Sequence, residues 1–134
     1  MSDLVHHPAH YERGGIQPHV FIRSNDLSWC EGSIVEYLYR WDMKGGLQDL
    51  HKALQLLAWV IQDRLGQPMR SRPRGGVRPH EFIAANPFLG ERERAIIEGV
   101  WLGRGLNGLS HLQDAQHNLN ALIAAMEAKR ARHA

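Results

Sequence analysis

Three cations between residues 40 and 52 have the chemistry needed to hold a phosphate group. Arg40 and Lys44 are spaced by one helical turn, and Lys52 follows on the next predicted helix, after the Gly45-Gly46 turn. Phosphate recognition needs cations on the non-bridging oxygens, and an arginine can make two parallel contacts to them. If the two helices form a hairpin, the three cations converge near the turn.

Two further residues extend this candidate site. Asp49 could hold a metal ion or a ribose hydroxyl, and Tyr37 lies one turn before Arg40, so its ring can share the same helix face and stack on a base. The alternative is that Arg40, Asp49 and Lys52 form ordinary surface ion pairs, which contribute little to stability. An aromatic residue on a helix is also more often part of the core than of a site.

The amino-terminal segment carries a second polar cluster, formed by His6, His7, His10 and Tyr11. Imidazoles can bind a metal, contact a phosphate or carry a proton. The histidines lack the helical i, i+4 spacing of a zinc protease motif, and Pro8 interrupts them. Contact with a phosphate or a base, metal binding, and a purely structural arm all stay open; His7, His10 and Tyr11 join the candidate nucleotide site, and no metal site is assigned.

The chain contains an internal repeat. Residues 14–25 recur as residues 75–86 with seven of twelve positions identical, where unrelated segments would share about one. After one inserted residue the match continues without a gap, with Glu31 matching Glu93 and Leu47 matching Leu109. We therefore define a first unit (residues 1–65), a basic Pro/Gly linker (66–74) and a degenerate second unit (75–134), and we expect one globular domain.

His19 and His80 occupy equivalent places in the two units, each directly after a proline. Because the second unit keeps this histidine, we expect it to serve the fold, as a buried hydrogen bond or a turn cap.

Apolar residues recur at helical spacing in both units, and no sustained alternation suggests a strand. The pattern predicts a helix from Trp29 to Met43 with Ser28 and Glu31 as a capping box, and a second from Leu47 to Gly66. The second unit repeats the plan, from Glu91 to Leu102 and from Leu109 towards Arg130. We expect an all-α fold, in which two pseudo-symmetric helical hairpins pack as a four-helix arrangement.

Composition narrows the class of protein. The net charge is only +2 and the unopposed arginines lie in the linker, so a nucleic-acid partner is not favoured. Cys30 is the single cysteine, which excludes an internal disulfide and a cysteine-only zinc site. No long apolar run predicts a membrane span. We expect a cytoplasmic protein.

Residues 6–60, approximately, resemble a family of bacteriophage proteins, the family of domain of unknown function 3310, and residues 75–126 resemble a degenerate second copy. The resemblance rests on residue type, order and spacing, and the matching segments are His7-Pro8-Ala9-His10-Tyr11, Gly14-Gly15-Ile16, Gly32 to Arg40, Lys44-Gly45-Gly46 and Asp49 to Ala53. A member of this family from a podophage is described as a nucleotide kinase without a Walker phosphate loop. The resemblance therefore implies a nucleotide or another phosphate-bearing small molecule as ligand, in the cytoplasm of a bacterial host, and phosphotransfer would imply Mg²⁺.

Three positions depart from the family pattern. An asparagine is replaced by Ser33, a lysine by Glu36 and another lysine by His51, and the change to Glu36 reverses a charge. The alternative function is accordingly a non-catalytic phage accessory module that binds a host protein or sequesters a nucleotide signal. For either function we expect a homo-oligomer.

Overall fold

The computed structural model describes residues 15–69 and 73–133. Within these ranges the chain forms six α-helices and no strand, which confirms the all-α prediction. The helices are α1 (Pro18–Ser24), α2 (Trp29–Arg40), α3 (Gly46–Arg64), α4 (Pro79–Ala85), α5 (Glu91–Leu102) and α6 (Gly108–Arg132). None of these six helices combines the length and the apolar character that crossing a membrane requires.

Local sequence signals set the helix ends. The Ser28 hydroxyl accepts the backbone N–H of Glu31, and the Glu31 carboxylate accepts the backbone N–H of Ser28, so the predicted capping box at the start of α2 is confirmed. Gly46 has a φ of +57°, which favours glycine. Gly45 is needed for another reason, because a Cβ there would lie 1.9 Å from the Asp49 carboxyl carbon.

One apolar core joins residues from both units. α2 contacts α3 and α5, and α6 contacts α3 and α5, so the four longer helices share one interior. The rings of Phe21 and Phe82, which are equivalent residues of the repeat, stack with centroids 4.8 Å apart and are fully buried. Burial of this shared surface provides the main stabilisation.

Two asparagines connect the units by reciprocal hydrogen bonds. The Asn25 side-chain amide donates to the carbonyl of Val77 at 2.7 Å, and the Asn86 amide donates to the carbonyl of Ile16 at 2.9 Å. Each amide also donates to a backbone carbonyl of the short helix before it, Asn25 to that of Phe21 and Asn86 to that of Phe82. Because both asparagines are buried, these bonds fix the position of each unit's short helix against the other unit.

The prediction of a buried role for His19 and His80 is wrong, because both side chains are exposed. Pro18 and Phe21 are three residues apart and are buried on the inner face of α1, so the residue after the proline faces outward. The equivalent pattern occurs in α4.

Candidate functional site

The structure brings four of the predicted site residues together at the end of α2. The Arg40 guanidinium lies over the Tyr37 ring, 5.0 Å from its centroid, and the Lys52 ammonium lies 6.0 Å from the same centroid. Both distances are within the range of cation–π attraction. We call Tyr37, Arg40, Asp49 and Lys52 the tyrosine–cation cluster.

Asp49 orients the arginine of this cluster. Its carboxylate accepts the Arg40 Nε–H at 3.3 Å, and Asp49 is only 3% exposed. The carboxylate lies against the turn, in the space that a side chain at Gly45 would otherwise take. This pair therefore differs from an ordinary surface ion pair, because a buried carboxylate accepts a hydrogen bond from a guanidinium that also lies 5.0 Å from the centre of the Tyr37 ring.

The other predicted site residues lie elsewhere or outside the described residues. Lys44 is exposed in the turn after α2, where its backbone N–H donates to the carbonyl of Arg40. His7, His10 and Tyr11 fall in residues 1–14, and Arg70 and Arg72 in residues 70–72, which the structure does not describe.

In the second unit the same positions form a cavity. Counting from the matched Glu31 and Glu93, the tyrosine–cation cluster corresponds to Gly99, Leu102, His111 and Asp114. All four of these residues line one cavity of about 350 Å³ between α5 and α6. The two helices approach closely there, since a Cβ on Gly99 would lie 2.8 Å from the His111 carbonyl oxygen. The close approach of the helices thus takes the place of the tyrosine ring, and no lysine or arginine lines this cavity.

A further cavity, of about 570 Å³, lies at the opposite end of α2, roughly 16 Å along the helix. At its floor the Arg104 guanidinium pairs with the Glu31 carboxylate at 2.7 Å. The guanidinium also donates to the backbone carbonyls of Asn25 and Asp26. Arg104 and Glu31 are 3% and 4% exposed, so this is a buried ion pair between the two units.

The environment of Glu31 shifts its pKa downward. Burial alone acts to raise the pKa, but the hydrogen bond and charge of Arg104 and the hydrogen bonds with Ser28 outweigh it. Glu31 is therefore ionised at neutral pH. The neighbouring Cys30 shows the opposite shift, because burial and the negative charges of Asp63 and Glu31 raise the pKa of its thiol.

Among residues 15–69 and 73–133, no group of three or more histidine, cysteine, aspartate or glutamate side chains is arranged to hold a metal ion. Asp49 is the carboxylate of the tyrosine–cation cluster, and Arg40 already engages it.

Two sets of contacts between the units were not predicted from the sequence. The Asn25 and Asn86 pair is identical in the repeat, so a signal existed, but the type of residue alone does not indicate a partner in the other unit. The Glu31–Arg104 pair left a weaker signal, the change from Asp42 in the first unit to Arg104 in the second.

Comparison with known proteins adds one finding. Residues 5–57 match the family described as protein of unknown function (DUF3310), which supports the resemblance over the first unit. No curated protein and no solved structure is significantly similar to the chain.

Proposed function

We propose that the first unit binds a nucleotide, or another phosphate-bearing small molecule, at the tyrosine–cation cluster. The observation that supports the proposal is that Arg40 and Lys52 lie 5.0 Å and 6.0 Å from the centre of the same tyrosine ring, with Arg40 bonded to a buried carboxylate. In this assignment Arg40 and Lys52 contact phosphate oxygens, and Asp49 is a positioning residue. Lys44 and the residues His7, His10 and Tyr11 belong to the same proposed site.

Phosphotransfer is the enzymatic form of this proposal, and the family match supports it only through the resemblance described above. The terminal phosphoryl group of a nucleoside triphosphate would pass to a phosphate oxygen of a nucleoside monophosphate. The donor would leave as a nucleoside diphosphate, and the acceptor would become a second nucleoside diphosphate. Fixed cations favour such a step because they stabilise charge on the transferred group. Phage origin and a location in the host cytoplasm are parts of the same proposal.

The binding proposal is tested by titration calorimetry with the four deoxynucleoside monophosphates. Lys52→Ala is the informative variant, because Lys52 is exposed and its loss uncovers no buried carboxylate. We expect it to weaken binding about five- to tenfold, the loss of one charge-assisted contact. Lys129→Ala, an exposed cation on α6, is the matched control and should bind like the wild type. Absence of binding by the wild type, or equal affinity of the Lys52→Ala variant, would overturn the proposal.

The alternative function, a non-catalytic module that binds a host protein, is favoured by a separate observation. Trp29 lines the 570 Å³ cavity and is exposed, and three other exposed apolar residues follow lining residues within two positions of the chain, namely Leu65, Met69 and Leu106. Exposed apolar groups at one end of a small protein are typical of interaction surfaces. In a pull-down from bacterial lysate, a stoichiometric partner that is lost with Leu106→Ser but kept with Lys52→Ala would favour this function.

We also infer that the two units are tandem copies related by an approximate twofold axis. The reciprocal bonds of Asn25 and Asn86 and the stacking of Phe21 on Phe82 support this relation. A covalently joined pair of copies is the expected product of fusing a symmetric dimer. Self-association of the whole chain into an oligomer stays a separate proposal, which sedimentation velocity tests.

A further inference from the structure

The 570 Å³ cavity belongs to a face of the molecule that both units build. Its walls come from the start of α2, the end of α3 and the turn between α5 and α6. The Arg64 guanidinium connects the segments after α3 and α5, because it donates to backbone carbonyls in both, those of Gln67, Gly103 and Gly105. This face shares no residue with the tyrosine–cation cluster, which lies at the other end of α2.

Four exposed apolar residues belong to the segments that build this face. Trp29 lines the cavity and is 74% exposed, and the other three are each more than half exposed, namely Leu65, Met69 and Leu106. Four such side chains expose an area comparable with the largest apolar patch on a typical monomer, about 300–600 Å². An interface of standard size buries about 800 Å² on each partner, of which about 60% is apolar. The cavity and these four residues, which we call the Trp29 face, can therefore supply the apolar part of one protein interface.

The tryptophans at the contact between the two units show how an indole is accommodated in this protein. The Trp41 indole N–H donates to the Glu93 carboxylate of the second unit at 3.4 Å. In the opposite direction, the Trp101 indole N–H donates to the Asn25 side chain of the first unit at 3.0 Å. Each ring thus finds a side-chain oxygen in the other unit. Trp29 has the same chemistry but is exposed, so a partner with an apolar space and an oxygen acceptor would suit it.

We propose that the Trp29 face binds a second copy of this chain in a twofold symmetric dimer, in which the Trp29 ring of each copy enters the 570 Å³ cavity of the other. A twofold contact brings the same face of both copies together, so one face must carry both the protruding group and the space that receives it. The Trp29 face carries both. The cavity offers apolar walls at Val60 and Leu112, and the exposed Asp63 carboxylate in its lining can accept the indole N–H. This proposal rests on the self-association proposed above and assigns an interface to it.

Sedimentation velocity of the full chain over a range of concentrations is the first test. We expect a dimer, and Trp29→Ala should weaken it about 100-fold, because a tryptophan at an interface centre contributes about tenfold or more and a twofold contact contains it twice. Trp59→Ala is the matched control, since Trp59 is 47% exposed on α3 and is not part of the cavity lining. It should dimerise like the wild type.

Mixing two variants tests the exchange of rings between copies. Val60→Trp places a large ring into the cavity from its wall, so this variant keeps Trp29 but cannot receive the ring of a partner. Trp29→Ala keeps the cavity but has no ring to insert. An equimolar mixture should associate at least about tenfold more tightly than either variant alone, because one of the two ring contacts is restored.

Cys30 reports on the cavity without a change in its walls. It is the single cysteine of the chain and belongs to the lining. A partner ring in the cavity should shield the thiol, so its rate of reaction with an aromatic disulfide reagent should fall as the wild-type concentration rises. The rate for Trp29→Ala should stay constant over the same range. This measurement decides if circular dichroism shows that Val60→Trp does not fold.

Four results would overturn the proposal. They are a wild type that is monomeric at every concentration, a Trp29→Ala variant that dimerises like the wild type, a mixture with folded Val60→Trp that gains no affinity, and a Cys30 rate that is independent of wild-type concentration. The first result would also remove the proposed homo-oligomer, whereas the others would leave self-association in place and remove only this interface. A host protein that binds the monomeric wild type and is lost with Trp29→Ala would overturn the proposal as well, because the occupant of the face would then be that protein.

Discussion

The two units meet at two junctions, one at Glu31 and one at the equivalent Glu93. The two glutamates have different partners. At the start of α2, Glu31 forms a buried ion pair with Arg104 below an open cavity. At the start of α5, the equivalent Glu93 accepts a hydrogen bond from the Trp41 indole. One junction thus depends on a pair of charges and leaves space above it, whereas the other is closed by an aromatic ring.

The helix pairs α2–α3 and α5–α6 differ in the same sense as the two junctions. In the first unit the Tyr37 ring lies beneath two cations, and in the second unit Gly99 at the same position lines a cavity. At both positions of the repeat the first unit carries an aromatic residue, Tyr37 or Trp41, and the second unit carries a glycine, Gly99 or Gly103. The comparison shows that two units of similar sequence have unlike surfaces because a few large side chains of the first unit are glycine in the second.

The largest expected effect separates the two junction glutamates. Glu31→Gln leaves the Arg104 guanidinium buried without its counter-charge, and we expect a loss of about 3–5 kcal/mol in the free energy of unfolding. Glu93→Gln keeps a neutral acceptor for Trp41 and should cost about 1 kcal/mol or less. Urea unfolding of both variants, with the wild type as reference, measures the difference. Equal losses would show that the charge pair has no special part in holding the units together.

A smaller asymmetry is expected between the two buried asparagines. The Asn25 Oδ1 accepts the indole N–H of Trp101 at 3.0 Å, while the Asn86 Oδ1 has no hydrogen-bond partner among the described residues. Asn25→Ala should therefore cost about 2–3 kcal/mol, because it also removes the hydrogen bond of the Trp101 indole, and Asn86→Ala about 1 kcal/mol.

Thermal unfolding of the two alanine variants at one pH measures this order. A larger loss for Asn86→Ala would mean that the indole bond contributes nothing to the junction. Trp101→Phe in the Asn25→Ala background is the control, since the double variant removes the indole donor itself and should recover part of the lost stability.

Much of the helical plan could be predicted from the sequence, because its signals are local. Helix α5 has the predicted bounds, Glu91–Leu102, and the capping box of Ser28 and Glu31 depends on residues three apart. The contacts between the two units could not be predicted from such local signals. Glu31 and Arg104 are 73 residues apart, and their pairing follows from how the units pack.

The candidate site was partly accessible to the same reasoning. Helical spacing placed Tyr37 and Arg40 on one face, and the turn brought Lys52 beside them. The burial of Asp49 was not predictable from spacing, since it depends on the missing side chain of Gly45. The prediction for His19 was wrong for a different reason. Identity between the two units does not tell whether a residue lies on the inner or the outer face of its helix.

The smallest expected effect is the dependence of the first junction on pH. Because the folded protein lowers the pKa of Glu31, this carboxylate stabilises the fold at pH values above its ordinary pKa, about 4.5. That contribution is lost as the pH falls through the lower, folded-state pKa, since protonation removes the counter-charge of Arg104. Between pH 6 and pH 3 the stability of the wild type should therefore fall more steeply than that of Glu31→Gln. Urea midpoints at half-unit steps measure both slopes, and equal slopes of the wild type and Glu31→Gln would contradict this prediction.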